Sequence, residues 1–182
     1  MNIRCFVGIP MPDHVLDDLA RLTGGLPGAR WIEEEDIHLT LRFIGEVDGL
    51  VFRDVAGALD EIRLAPFELS LNGMGFFPPR GEPRVLWAGT SNSEPLSALK
   101  RRVDREVNAH GGEQERRKWI PHVTLARLSG TPSSRLARYL GGNSLFRTPP
   151  FVVDRFNLYT SRLHHSGATY TVESTYLLDQ GS

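Results

Sequence analysis

One short pattern occurs twice in this chain: a histidine, any residue, a threonine and an aliphatic residue. It reads HLTL from His38 to Leu41 and HVTL from His122 to Leu125. Side chains in a strand alternate between two faces, so each histidine shares a face with its threonine, and the two aliphatic residues point the other way. The repeat therefore constrains the fold, because it calls for two half-buried strands that each present a polar face.

The first motif lies in the segment IHLTLRFIG, which alternates strictly between apolar and polar residues. Alternation assigns the core face to Ile37, Leu39, Leu41 and Phe43 and the other face to His38, Thr40 and Arg42. Arg42 is therefore a candidate for contacting a phosphate group beside His38. The alternative for this residue is a solvated arginine at the end of a strand.

Elements of similar kind follow in similar order around both motifs, with helices near 12–23, 51–64, 94–109 and 132–140. Strands are predicted at 2–9, 37–45, 67–74, 84–89, 122–128, 151–160 and 168–178. Helices and strands do not alternate as in a βαβ fold, so antiparallel or mixed sheets are expected. We predict an α+β fold of two pseudo-symmetric lobes, packed face to face around a central cleft. Residues 1–182 then form one bilobal domain with an internal duplication, one motif in each half.

Composition limits the class of protein further. A chain of 182 residues with 40% hydrophobic composition can bury a sizeable core without help. Its net charge of −1 argues against a broadly basic surface for indiscriminate nucleic-acid binding. Cys5 is the single cysteine and cannot form an internal disulfide. No segment approaches the roughly 20 apolar residues that cross a bilayer, and we expect a cytoplasmic monomer.

Two histidines that face one cleft can carry out acid–base chemistry. An imidazole has an unperturbed pKa near ~6.5, so one ring can accept a proton while the other donates one. This suits displacement at phosphorus, with threonine hydroxyls and an arginine stabilising the charge that develops on the non-bridging oxygens. Such a mechanism requires neither a metal ion nor another cofactor.

Longer segments around the motifs resemble a known family. They are RWIEEEDIHLTLRFIGEV, PRVLWAG, ERRKWIPHVTLAR and FVVDRFNLYTSRL. Together they resemble the RNA 2',3'-cyclic phosphodiesterase family, also called 2'-5' RNA ligase, of the two-histidine phosphoesterase superfamily. The resemblance covers nearly the whole chain and implies a bilobal fold around a cleft. It further implies hydrolysis of RNA 2',3'-cyclic phosphate ends to 2'-phosphates, and reversible ATP-independent 2'-5' joining of tRNA halves.

The resemblance also assigns roles to particular residues. His38 and His122 match the catalytic histidines, Thr40 and Thr124 the phosphate-binding hydroxyls, and Arg127 an additional active-site arginine. Our hypothesis is that His122 is the base toward water and His38 the acid toward the 3'-oxygen. By strand parity Arg127 faces the core, so it reaches the phosphate only if its strand bulges, twists or ends before it.

Two other functions stay open from the sequence. One is the same chemistry on a small cyclic nucleotide, which the near-neutral charge of the chain permits. The other is a binding module for RNA ends without catalysis, which the second titrating imidazole disfavours. Comparing a cyclic-ended RNA with a mononucleotide distinguishes the first alternative, and a turnover assay distinguishes the second.

Overall fold

A computed structural model describes residues 1–179 of the chain. Its helices are α1 (Asp13–Ala20), α2 (Gly49–Leu59), α3 (Glu94–Ala109) and α4 (Ser133–Gly142), with a 3₁₀ turn at Glu34–Asp36. Its strands are β1 (Ile3–Pro10), β2 (Ala29–Trp31), β3 (His38–Val47), β4 (Phe67–Leu69), β5 (Leu71–Phe77), β6 (Val85–Thr90), β7 (His122–Leu128), β8 (Phe151–Val153), β9 (Arg155–His164) and β10 (Gly167–Leu177). The predicted α+β class is confirmed.

Eight strands form one sheet, and all of its pairs are antiparallel. The order is β10-β9-β1-β3-β7-β6-β5, and β2 pairs with β7 beside β3. Strands β4 and β8 form a separate two-stranded sheet. The two motif strands, β3 and β7, are neighbours at the centre of the large sheet, where Leu39 pairs with Val123.

The two halves are joined in the sheet through this single residue pair. Each motif strand presents unpaired backbone N–H and C=O groups along its inner edge unless another strand covers it. The two edges pair with each other at Leu39 and Val123. Both motifs thereby lie on one continuous surface.

The aliphatic residues of the two motifs pack into the core on the opposite side of the sheet. Leu39, Leu41 and Val123 are fully buried, and Leu125 is nearly so. Burying an aliphatic side chain of this size contributes about 1.5–3 kcal/mol relative to leaving it exposed. Helix α3 packs against β3 and α2, and the buried apolar residues form one continuous core. No helix within residues 1–179 is long and apolar enough to span a bilayer.

Local capping explains where two helices begin. The Asp48 side chain accepts hydrogen bonds from the backbone N–H groups of Leu50 and Val51, both at 2.9 Å, so α2 begins at Gly49 rather than at the predicted residue 51. Ser93 caps α3 in the same way. Each cap of this kind is worth about 1 kcal/mol.

Candidate active site

The two motif histidines lie on the same face of adjacent strands. Leu39 pairs with Val123 in antiparallel register, and continuing that register puts Thr40 opposite His122 and Thr124 opposite His38. The histidines are therefore diagonal neighbours, whose spacing in a sheet is roughly 7–8 Å. Such a separation leaves room for a phosphate group between the two rings.

Both imidazoles are held through the same ring nitrogen. Nδ1 of His38 donates to the carbonyl oxygen of Asp36 at 2.7 Å, and Nδ1 of His122 donates to that of Ile120 at 2.7 Å. A carbonyl only accepts, so the proton of the neutral ring resides on Nδ1 and the lone pair on Nε2. Nε2 of His38 accepts from the Thr40 hydroxyl at 2.9 Å. In each ring, therefore, Nε2 is the atom available for proton transfer.

The surroundings lower the pKa of both histidines. Burial lowers the pKa of His38 to about 4, with the charge of His122 acting in the same direction and the hydrogen bond to Asp36 opposing it. Burial also lowers the pKa of His122; the hydrogen bond to Ile120 opposes this shift, and the charge of Arg127 adds to it. Both rings are therefore neutral in the free protein at pH 7.

Aromatic side chains enclose His38. The ring of Phe6 stacks on the imidazole with centroids 4.8 Å apart, and Tyr170 meets it edge-on at 5.3 Å and 89°. Tyr159 lies 5.6 Å from the same ring. This packing fixes the orientation of the imidazole.

His122 is flanked by two rings from its own half of the sheet. Phe77 meets it edge-on at 5.1 Å, and Trp87 lies 6.0 Å away. The sequence analysis did not single out Trp87 as part of the site. Trp87 does pair with Thr124 across β6 and β7, so it shares the face of the second motif.

Arg42 does not lie on the histidine face, and the prediction that it does is wrong. Val7 pairs with Arg42 and Gly8 with Thr40, so Leu41 is an extra residue in β3 and forms a bulge. The bulge reverses the alternation, so the Arg42 side chain is buried. Its guanidinium donates to Asp104 of α3 at 3.0 Å, to the Asn108 side chain and to the Glu113 carbonyl oxygen. It is therefore part of the interior, not of the cleft.

An equivalent bulge in β7 brings Arg127 to the histidine face. Leu86 pairs with Ala126 and Trp87 with Thr124, so Leu125 is the extra residue. Arg127 is exposed, and its charge lowers the pKa of His122. Strand alternation alone would turn Arg127 toward the core, so a bulge is needed for it to reach the site. That bulge is present, three residues after the histidine, as in β3.

Phe43 occupies the position that matches Arg127 in the first half. It was predicted to face the core, but the bulge at Leu41 turns it outward, and 44% of the residue is exposed. Its ring is parallel to that of Phe6, and the Arg4 guanidinium lies 4.8 Å from its centroid. The two halves thus place an arginine and a phenylalanine at equivalent positions.

A cavity of about 720 Å³ adjoins the histidine face. Its lining includes Arg127, Asp36 and Tyr170, which also surround the histidines, and Arg30 and Trp31 of β2. Within residues 1–179, no three His, Cys, Asp or Glu side chains form a group that could hold a metal ion.

A sheet that presents two His-x-Thr motifs side by side on one face defines a two-histidine phosphoesterase. The chain belongs to the 2'-5' RNA ligase superfamily, whose sequence model matches residues 11–165. Two of its similar relatives are named RNA 2',3'-cyclic phosphodiesterase. The Thermotoga maritima protein is 32% identical over 178 residues, covering 93% of this chain and 92% of its own. The Methanothermobacter thermautotrophicus protein is 31% identical, with 94% and 96% covered.

Solved structures share the fold over the full length. TT0787 of Thermus thermophilus superposes with a TM-score of 0.83 at 27% identity, covering 98% of this chain and 99% of that one. E. coli LigT complexed with 3'-AMP gives a TM-score of 0.78 at 24% identity, covering 99% and 100%. The likeness to LigT concerns the fold alone.

Proposed function

We propose that the protein is an RNA 2',3'-cyclic phosphodiesterase that hydrolyses cyclic phosphate ends to 2'-phosphates by histidine acid–base catalysis. One observation carries the proposal. Two imidazoles from separate parts of the chain lie diagonally on one sheet face, each anchored through Nδ1 so that Nε2 is available. The names of the relatives that match over more than nine-tenths of the chain support the substrate class.

The proposed reaction has one bond-forming and one bond-breaking event. One imidazole removes a proton from water as the water oxygen attacks phosphorus. The bond from phosphorus to the 3'-oxygen breaks, and the other imidazole gives that oxygen its proton. The products are a 2'-phosphate monoester and a free 3'-hydroxyl. Each proton transfer is worth on the order of 10²- to 10⁴-fold in rate.

Hydroxyl and guanidinium groups hold the phosphate in this scheme. Thr40 and Thr124 share the histidine face by strand alternation and donate to non-bridging oxygens. Arg127 reaches the same face through the bulge in β7 and offers its guanidinium fork to the developing charge. Thr40 must leave His38 Nε2 for this purpose, which frees that nitrogen for the substrate.

The assay that tests this function is product analysis on a 2',3'-cyclic-ended RNA with excess chelator present. We expect a 2'-phosphate product, and we expect His38→Ala and His122→Ala each to abolish turnover. His110→Ala is the matched control, because His110 also bonds a backbone carbonyl through Nδ1 but is exposed at the end of α3. Activity that requires added metal, or a 3'-phosphate product, contradicts the proposal.

The same site supports 2'-5' ligation as a second outcome. If a 5'-hydroxyl of another RNA replaces water as the nucleophile, the bond formed is a 2'-5' phosphodiester and no ATP is consumed. Hydrolysis of a small cyclic nucleotide is the alternative substrate class, and comparing kcat/KM for a cyclic-ended tRNA fragment and a mononucleotide decides between them. A monomeric state and a cytoplasmic location remain predictions.

A further inference from the structure

We propose that the cavity beside Arg127 is a subsite for the nucleotide on the 5' side of the terminal cyclic phosphate, with Arg30 contacting the internucleotide phosphate. This inference rests on the proposed function, since it extends the same site along the RNA chain. It predicts that the protein prefers a polynucleotide end to a free cyclic mononucleotide.

Two arginines line this cavity directly opposite each other. Arg30 of β2 pairs with Arg127 of β7 in antiparallel register, so both side chains leave the same face of the sheet. Like charges in direct opposition across two strands are destabilising. Among the described residues neither arginine forms an ion pair with a carboxylate. An anion between them removes the repulsion, and a phosphate matches their donor forks.

A hairpin holds Arg30 in place. Its guanidinium donates to the carbonyl oxygen of Ser166, in the turn between β9 and β10. A side chain at Gly167 would place its Cβ 2.8 Å from Arg30 Nη1, so the turn backbone packs closely on the guanidinium. Arg30 is therefore ordered by the fold although it is exposed, which lowers the entropy lost when it binds an anion.

The walls of the cavity suit a nucleoside as well as an anion. Its volume of about 720 Å³ lies in the range of pockets that enclose a ligand of nucleotide size. Besides the arginines it offers the aromatic ring of Tyr170 and the carboxylates of Glu33 and Asp36. Rings stack on bases, and carboxylates accept from amino and hydroxyl groups, so a nucleoside suits these walls while its phosphate suits the arginines.

The cavity also adjoins the reacting centre. Arg127 acts on His122 electrostatically, and Tyr170 contacts the ring of His38. Asp36 supplies the carbonyl that orients His38. A ribose cyclic phosphate between the two histidines therefore has its neighbouring nucleotide within reach of this cavity.

The test compares a cytidine 2',3'-cyclic phosphate with a dinucleotide that ends in the same group. We expect Arg30→Gln to lower kcat/KM for the dinucleotide about tenfold, the value of one charge-assisted contact, and to change the mononucleotide less than about twofold. Glutamine keeps a donor for the Ser166 carbonyl, so the hairpin retains its support. The slope of log kcat/KM against log salt should fall by about 0.7 for the dinucleotide.

Two further variants separate charge from architecture. Arg30→Lys should keep the salt slope of the parent protein, because the charge remains. Arg53→Gln on α2 is the matched control, since Arg53 is exposed and also donates to a backbone carbonyl. Equal losses for both substrates, no loss for either, or identical behaviour of the Gln and Lys variants overturns the subsite.

A binding readout keeps the subsite testable apart from turnover. If the parent protein hydrolyses neither substrate, the proposed function fails on its own. Anisotropy of a fluorescein-labelled dinucleotide 2'-phosphate then decides the subsite. Arg30→Gln should weaken binding about tenfold, and unchanged affinity overturns the inference.

Discussion

At the residue scale, His38 and His122 are the same chemical group in different surroundings. His38 is enclosed by aromatic rings and burial lowers its pKa to about 4, whereas the pKa of His122 is lowered by burial and by the charge of Arg127. The hypothesis that His38 is the acid requires the charge of a bound phosphate to raise its pKa.

A sulfur-bridged substrate tests the division of roles between the histidines. Replacing the bridging 3'-oxygen by sulfur gives a leaving group that departs without protonation. We expect this substrate to restore turnover to His38→Ala and not to His122→Ala, measured as release of thiolate. Rescue of His122→Ala alone means that the roles are reversed.

Arg127 gives a second prediction at this scale. Arg127→Gln removes the proposed phosphate contact and a charge that lowers the pKa of His122. We expect kcat/KM to fall by about 10²-fold and the limb of its pH profile that His122 governs to move to higher pH, because loss of the positive charge raises the pKa of this imidazole. Arg53→Gln should change neither quantity. An unmoved limb contradicts the electrostatic coupling between Arg127 and His122.

At the scale of elements, the strand bulges divide what the sequence could predict from what it could not. Alternation places each histidine, its threonine and the aliphatic residues up to Leu41 and Leu125 on the faces that the structure shows. Beyond Leu41 and Leu125 alternation assigns side chains to the wrong faces, because each bulge depends on pairing with a strand that is distant in the sequence. Helix α3 was predicted over 94–109 and has those bounds, since its cap is local. Strand β2 is three residues long, too short for any periodicity.

Arg42 connects β3 to α3 and to the segment that leads into β7. It contacts Asp104 at 3.0 Å, and Lys100 contacts both Asp104 and Glu115 at 2.9 Å. We expect Arg42→Met to reduce the free energy of unfolding by roughly 3 kcal/mol, because it leaves carboxylates short of a partner. Urea denaturation measures this change.

The matched control for Arg42→Met is Arg53→Met, which should be close to neutral. Where the Arg42 variant is folded, its salt dependence of kcat/KM should equal that of the parent protein, since Arg42 is buried away from the cleft. A stable Arg42 variant whose kcat/KM depends less on salt would mean that Arg42 contacts phosphate.

At the scale of the whole molecule, one continuous sheet brings residues from two parts of the chain to one surface. The first motif's half contains strands from both ends of the chain, β1 and β3 with β9 and β10, while β5, β6 and β7 form the other half. The internal duplication and the single bilobal domain remain predictions. The matching bulges at Leu41 and Leu125 support the duplication.

Burial of His38 links the stability of the whole fold to pH. Its pKa is about 4 in the folded protein and near 6.5 when unfolded, so the unfolded chain binds more protons between these values. Stability is therefore fully present above pH 6.5 and is lost as pH falls toward 4. We expect a loss on the order of 2 kcal/mol between pH 7 and 4.5, and a smaller loss in His38→Gln, measured by urea unfolding. His110→Gln should lose as much stability between pH 7 and 4.5 as the parent protein. An equally large loss in His38→Gln contradicts the assignment of this pH dependence to His38.

The central claim is that the two imidazoles act on one phosphorus atom, and a double-mutant cycle on kcat tests it most directly. Turnover of a 2',3'-cyclic-ended RNA is measured for His38→Ala, His122→Ala and the double variant. Each single change should lower kcat by about 10²- to 10⁴-fold, and the double variant should lose no more than the less active single variant, because groups that act as a unit are not additive. Losses that multiply, or a single variant with near-parent kcat, contradict the claim.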